Sequence, residues 1–143
     1  MRKYVTQMFE EVNKDPKTID LYKNDAAFRA IAEYAFDPEK KFILPEGDPP
    51  FKPADEPLGM TPTNMFTEIR RLYVFCRKDL TAFKRESLFI SFLEGIHPTE
   101  ATLMIAVKDQ KLTKLYPKVT RKLMEGAGIV APIVKEVKEK TNA

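Results

Sequence analysis

Few side chains in this chain of 143 residues are of types that carry out reactions, and each also has a plain structural reading. His97 is the single histidine, with Glu94 and Glu100 nearby; an imidazole beside an orienting carboxylate is the minimum apparatus for proton transfer. No nucleophile is placed to answer it. His97-Pro98-Thr99-Glu100 reads better as a helix start, with Pro98 at the first helical position and the Glu100 carboxylate reaching back to an unpaired N–H. Cys76 is followed by Arg77 and Lys78, which would lower a thiol pKa, but it falls on an apolar stripe where a cysteine packs as a small hydrophobe. With one cysteine and one histidine, the chain has no internal disulfide and no Cys/His set for zinc or an iron–sulfur cluster. Glu10-Glu11 and Asp55-Glu56 are adjacent pairs whose members diverge on a helix, so they read as solvated. The phosphate-loop, dinucleotide, serine-hydrolase and zincin patterns are all missing. No catalytic, cofactor or metal residues are expected, and the chain reads as a non-enzyme.

The strongest functional signal is KDQKLTKLYPKVTRK at 108–122. It holds Lys108, Lys111, Lys114, Lys118, Arg121 and Lys122 against one acid, Asp109, with Tyr116 interleaved. Cations displace counterions from phosphate and an aromatic ring stacks on an unpaired base, so these seven residues are candidate DNA or RNA contacts. The plain alternative is a solvated face, with Tyr116 beside Pro117 serving as a hydrophobic staple.

The chain as a whole is only mildly basic, at +3 from 24 Lys+Arg and 21 Asp+Glu, too little by itself to imply a polyanionic partner. Its distribution is uneven: residues 108–143 carry nine basic and four acidic side chains. At 43% hydrophobic and 31% charged residues, the composition is that of one globular domain, 1–143, with a sizeable core. The N-terminus lacks the apolar stretch of a signal peptide, and no run is long enough to span a bilayer. A reducing cytosol is expected.

Helical periodicity supplies the elements that hold these residues. Tyr4, Val5, Met8, Phe9 and Val12 share one face, and a turn around Ile19 and Tyr22 follows Asp15-Pro16. Asn24 or Asp25 can cap a helix that presents Phe28, Ile31, Ala32, Ala35 and Phe36 and stops at Asp37-Pro38. Residues 37–58 contain six of the eleven prolines. Pro50-Phe51-Lys52-Pro53 has the minimal PxxP spacing, yet Phe42, Ile43, Leu44 and Phe51 read as anchors of a wrapped, extended connector rather than a free recognition arm. Thr61-Pro62 signals a helix whose stripe is Met65, Ile69, Leu72 and Cys76. FKRESLFISFLEG is the most apolar run and is expected to be the central helix, buried nearly all round and closed by Gly95. A helix through Ala101, Met104, Ile105 and Lys108 comes next, and then a basic connector from Asp109 to Tyr116. A short helix opened by Pro117 or Thr120 ends at Gly126-Ala127-Gly128, and a charged C-terminal helix falls within 129–143.

FILPEGDPPFKP, EIRRLYVFC, KRESLFISFLEGIHPTEATLMIAVKDQKL and VTRKLMEG together resemble a family of small uncharacterised proteins of tailed double-stranded-DNA phages, T-even-like and marine phages among them. The resemblance covers residues 36–126. The chain departs from the family at EGAG, where EAFP is usual, and at Phe51, where tyrosine is usual. The resemblance implies a phage protein in the host bacterial cytoplasm, linked to nucleic-acid metabolism or host takeover, and carries over no catalytic residues. The expectation is therefore one all-α domain of six or seven short helices with a long proline-rich connector. It would act as a non-enzymatic adaptor on a phage or host protein. Direct nucleic-acid binding through 108–122 and a virion structural or assembly role are the alternatives. No membrane contact and no cofactor are expected.

Overall fold

The computed structural model of the chain describes residues 4–57 and 60–131, so the C-terminal helix expected from Pro132 onward lies outside the described residues. The fold is all-α. Eight α-helices are formed among the described residues: α1 Val5–Lys14, α2 Ile19–Tyr22, α3 Ala26–Phe36, α4 Met65–Glu68, α5 Ala82–Gly95, α6 Pro98–Lys108, α7 Leu112–Leu115 and α8 Arg121–Gly126. Three 3₁₀ segments, Pro16–Thr18, Pro38–Lys40 and Ile69–Cys76, accompany them.

Local chemistry fixes most of the helix starts. The Asp25 carboxylate accepts from the Ala27 and Phe28 amides at 2.9 and 3.1 Å and opens α3, and the Thr81 and Thr120 hydroxyls cap α5 and α8 through Lys84 and Leu123. His97 opens α6 by accepting from the Thr99 amide on Nδ1. Three expectations are corrected. The α4 start lies at Asn64, whose side-chain oxygen accepts from the Thr67 amide, three residues beyond Thr61. The stripe after α4 follows a 3₁₀ period, so Ile69, Leu72 and Phe75 line one edge and Cys76 turns aside, half-buried. The stretch from Asp109 to Tyr116 is not simply a connector, since it contains α7.

The expected role of α5 changes as well. It buries only Arg85, Phe89, Phe92 and Leu93, and Phe83 is 81% exposed. The helix at the centre is α6, which touches α1, α3, α5 and α7 and buries Ala101, Leu103, Met104 and Val107. Gly95 is the last residue of α5 and does not end it through a left-handed turn. Its carbonyl accepts from the Thr63 amide at 2.8 Å, and a Cβ there would meet the Thr63 methyl at 3.2 Å, so close approach is what calls for glycine.

An aromatic cluster joins the two halves of the chain. Phe89 lies 5.1 Å from Phe75, 5.8 Å from Phe92 and 6.1 Å from Phe42, and Phe42 in turn meets Tyr34 of α3 at 5.2 Å. Residues 41–57, which have no regular structure, reach the core through Phe42, with Leu44 and Phe51 packed against it.

Two stability predictions follow from this packing. Phe89→Ala leaves a cavity among three aromatic neighbours and should cost about 3–5 kcal/mol, read as a lowered thermal midpoint. Arg85, only 8% exposed, donates to the carbonyls of Ile43, Leu80 and Arg77. Arg85→Met keeps the apolar stem and orphans three carbonyls, at about 1–3 kcal/mol for each one that water cannot reach. A denaturant midpoint equal to that of the native chain would refute this role.

Candidate binding surface

The seven candidate nucleic-acid contacts separate into three groups. Lys108 is 1% exposed, and its ammonium donates to the Pro45 carbonyl at 2.7 Å and to Asp109 Oδ1 at 2.5 Å. Tyr116 is also inside, stacked on Phe9 with ring centroids 6.0 Å apart and planes 11° from parallel, and burial pushes its phenol up to about 12. Neither can reach a nucleic acid, because both fill positions facing α1 or the 41–57 stretch. Lys111 pairs with Glu46, and Arg121 spends its guanidinium on Glu125, the Phe36 carbonyl and the Ala131 carbonyl. Lys114, Lys118 and Lys122 remain exposed.

Packing on α1 positions these lysines. The Tyr116 ring docks on Phe9, and one step further the Lys118 amide donates to Asn13 Oδ1 at 2.8 Å. Val119 is then fully buried. The chain from 116 to 120 is thus laid along the C-terminal half of α1 and delivers α8 beside the Pro16–Thr18 turn. That turn is held by the Asp15 carboxylate, which accepts from the Lys17 amide at 3.1 Å.

A groove of about 500 Å³ lies between the turn and α8. Lys17, Lys118 and Lys122 line it together with Pro16, Ile19, Leu123 and Ala127. Asp20, the one acid along it, lies 3.5 Å from Lys23. Among the described residues, the ammonium groups of Lys17, Lys118 and Lys122 have no ion-pair partner. The groove therefore combines an apolar floor with a cationic rim. Sequence reading missed Lys17 and Ile19, because they stand about a hundred positions from their partners and lie in no basic or apolar run.

The other candidate groups are occupied by structural roles. His97 meets the Thr99 hydroxyl at 2.8 Å, while the Glu94 carboxylate accepts from the Lys52 amide at 2.9 Å, so no imidazole–carboxylate pair is formed by these contacts. Burial pushes the Cys76 thiol up, only partly offset by Lys40, and the thiol donates to the Lys40 carbonyl at 3.4 Å. Arg77, which would have lowered it, pairs with Asp79. Among the described residues there is no group of three or more His, Cys, Asp or Glu side chains suited to a metal ion, and no helix long and apolar enough to cross a membrane.

Glu100 is fully buried; its Oε2 accepts from the Met65 amide at 3.4 Å, and Oε1 has no hydrogen-bond partner. The carboxylate thus faces the Met65 amide at the start of α4 as well as the His97 amide at the start of its own helix. Burial raises its pKa to about 7, opposed by the amides of Met65 and His97.

The family model described as "Family of unknown function (DUF6433)" matches residues 6–114, a span that contains Lys17 and Lys114 but stops before Lys118 and Lys122. No curated protein and no solved structure matches the chain.

The Glu100 shift sets a pH dependence. The folded carboxyl holds its proton up to about pH 7, whereas the unfolded one loses it near 4.5. Folding therefore takes up a proton between these values, and stability falls as pH rises from about 4.5 to 7, then levels off. Glu100→Gln should remove that slope and raise the thermal midpoint at pH 8 by several degrees, while leaving it little changed at pH 4. Parallel melting curves against pH for the two proteins would exclude a protonated, buried Glu100.

Proposed function

The chain belongs to the DUF6433 family, whose function is unknown, and from that premise we propose that it is a non-enzymatic binding protein that contacts a protein partner. The observation that supports this is the groove between the Pro16–Thr18 turn and α8, where three cations from two distant segments rim an apolar floor. Protein interfaces combine an apolar centre with a polar rim in this manner. The resemblance to small phage proteins extends the reading to an adaptor in the host bacterial cytoplasm, acting in nucleic-acid metabolism or host takeover. The irregular stretch 41–57 serves in this reading as a connector wrapped on the helices, and binding is left to the groove.

Direct nucleic-acid contact is the second reading, supported by the exposure of Lys114, Lys118 and Lys122. It is weaker than the seven-residue set suggested, because the aromatic stacking group and several of the cations are engaged internally.

A pull-down with tagged protein from infected cells, with and without nuclease, separates the two. A protein partner should survive nuclease and be lost when Lys17, Lys118 and Lys122 are changed together to Glu. If every captured species disappears on nuclease treatment, the nucleic-acid reading replaces the first. In that case, oligonucleotide binding should weaken steeply with added salt.

A further inference from the structure

We infer that the groove takes an acidic segment of its protein partner, one that carries apolar side chains between its carboxylates. The inference rests on the protein-binding reading and adds the ligand's chemistry. Two properties of the groove determine it. The rim offers Lys17, Lys118 and Lys122, three flexible cations suited to carboxylates spaced along a chain. The floor offers Pro16, Leu123 and Ala127 over the buried Ile19, an apolar surface that a simple polyanion would leave uncovered.

Both properties argue against the other anionic partners. A sugar–phosphate backbone satisfies the lysines but has nothing to bury on Leu123 and Ala127. A single strand binds through stacking platforms, and the nearest ring in sequence, Tyr116, lies against Phe9 beneath the surface. The groove is also built before any partner arrives. The Asp15 cap fixes the turn that bears Lys17, the Asn13 side chain fixes the backbone at Lys118, and the Thr120 cap starts the helix that bears Lys122. A preorganised groove costs little to order on binding.

The test uses the full chain and a fluorescent synthetic peptide in which Asp and Glu alternate with Leu and Phe. An oligoglutamate of equal length, a peptide with amides in place of the carboxylates, and a single-stranded oligonucleotide serve as comparison ligands. The acidic–apolar peptide should bind tightest, by about tenfold over each of the others, and should weaken with salt. Changing Lys17, Lys118 and Lys122 to Gln should cost about tenfold. Leu123→Ser should weaken the acidic–apolar peptide and leave oligoglutamate unchanged, with thermal melts confirming that both variants are folded. Oligoglutamate or oligonucleotide binding as tightly as the peptide would overturn the inference, as would no binding of the peptide at all. If the native chain still captures a nuclease-resistant partner in that event, the ligand chemistry is wrong and the protein-binding reading stands. If it captures none, the reading itself fails.

Discussion

Irregular backbone has to find donors for its carbonyls, and in this protein cationic and amide side chains, two of them buried, provide several. Residues 41–57 form no helix, yet the chain crosses α5 and α6 with Phe42 buried and Leu44 and Phe51 packed against the core. Arg85 answers Ile43 at 2.9 Å, and Lys108 answers Pro45 at 2.7 Å. The same device closes the end of α3. Gln110, held in the left-handed region at φ 53°, directs its side-chain amide to the carbonyls of Tyr34 and Asp37, and Arg121 reaches the carbonyl of Phe36 between them. Arg29 does likewise for Lys23 and Gly128. A carbonyl left without a donor in such places loses its water and gains nothing, so these side chains fix where the chain can pass.

That constraint explains why the basic segment read from the sequence is only partly a surface. Lys108 and Arg121 look like Lys114 and Lys118 in a list of residues, but their partners are Pro45 and Phe36, more than sixty positions away. No local pattern separates a cation that caps a distant carbonyl from one that meets solvent. Burial of Tyr116 was equally hidden, since a tyrosine before proline fits a stacking platform and a staple alike until Phe9 is placed beneath it. The groove lysine contributed by the Pro16–Thr18 turn was invisible for the same reason: its relation to α8 exists only after α1 has packed.

The features that were legible were those decided within a few residues. Asp25, His97-Pro98 and Thr120 signalled helix starts, because a cap depends on its own next three amides. The apolar faces of α1 and α3 were also legible, since amphipathic spacing records which side is buried. What failed needed knowledge of neighbours. The apolar run of α5 suggested the centre of the fold, yet it is α6 that four helices surround. The eight-residue 3₁₀ segment was written into the sequence as Ile69, Leu72 and Phe75 at intervals of three. A neighbouring set, Met65, Ile69, Leu72 and Cys76, fits the α-helical interval as well, and only contact of Phe75 with Phe42, Phe89 and Phe92 decides between them.

The central helix carries a buried charge-bearing residue at each end, and the two ends are satisfied unequally. Glu100 in its first turn and Lys108 in its last stand where the helix dipole favours their signs. Lys108 has a carboxylate and a carbonyl within 2.7 Å, and the carboxylate of Asp109 is itself held by the Gly47 amide at 3.1 Å. Glu100 has one long bond to Met65 and a bare oxygen. Desolvation is therefore repaid at the C-terminal end of α6 and only partly at the N-terminal end. The chain runs from the well-satisfied end through α7 to Tyr116 and α8, so one wall of the groove follows on from that anchored end, and the other is held by the Asp15 cap of the Pro16–Thr18 turn. The weakly satisfied end meets the start of α4 through the Met65 amide. A binding surface gains precision from rigid support, and the placement of the groove agrees with that requirement.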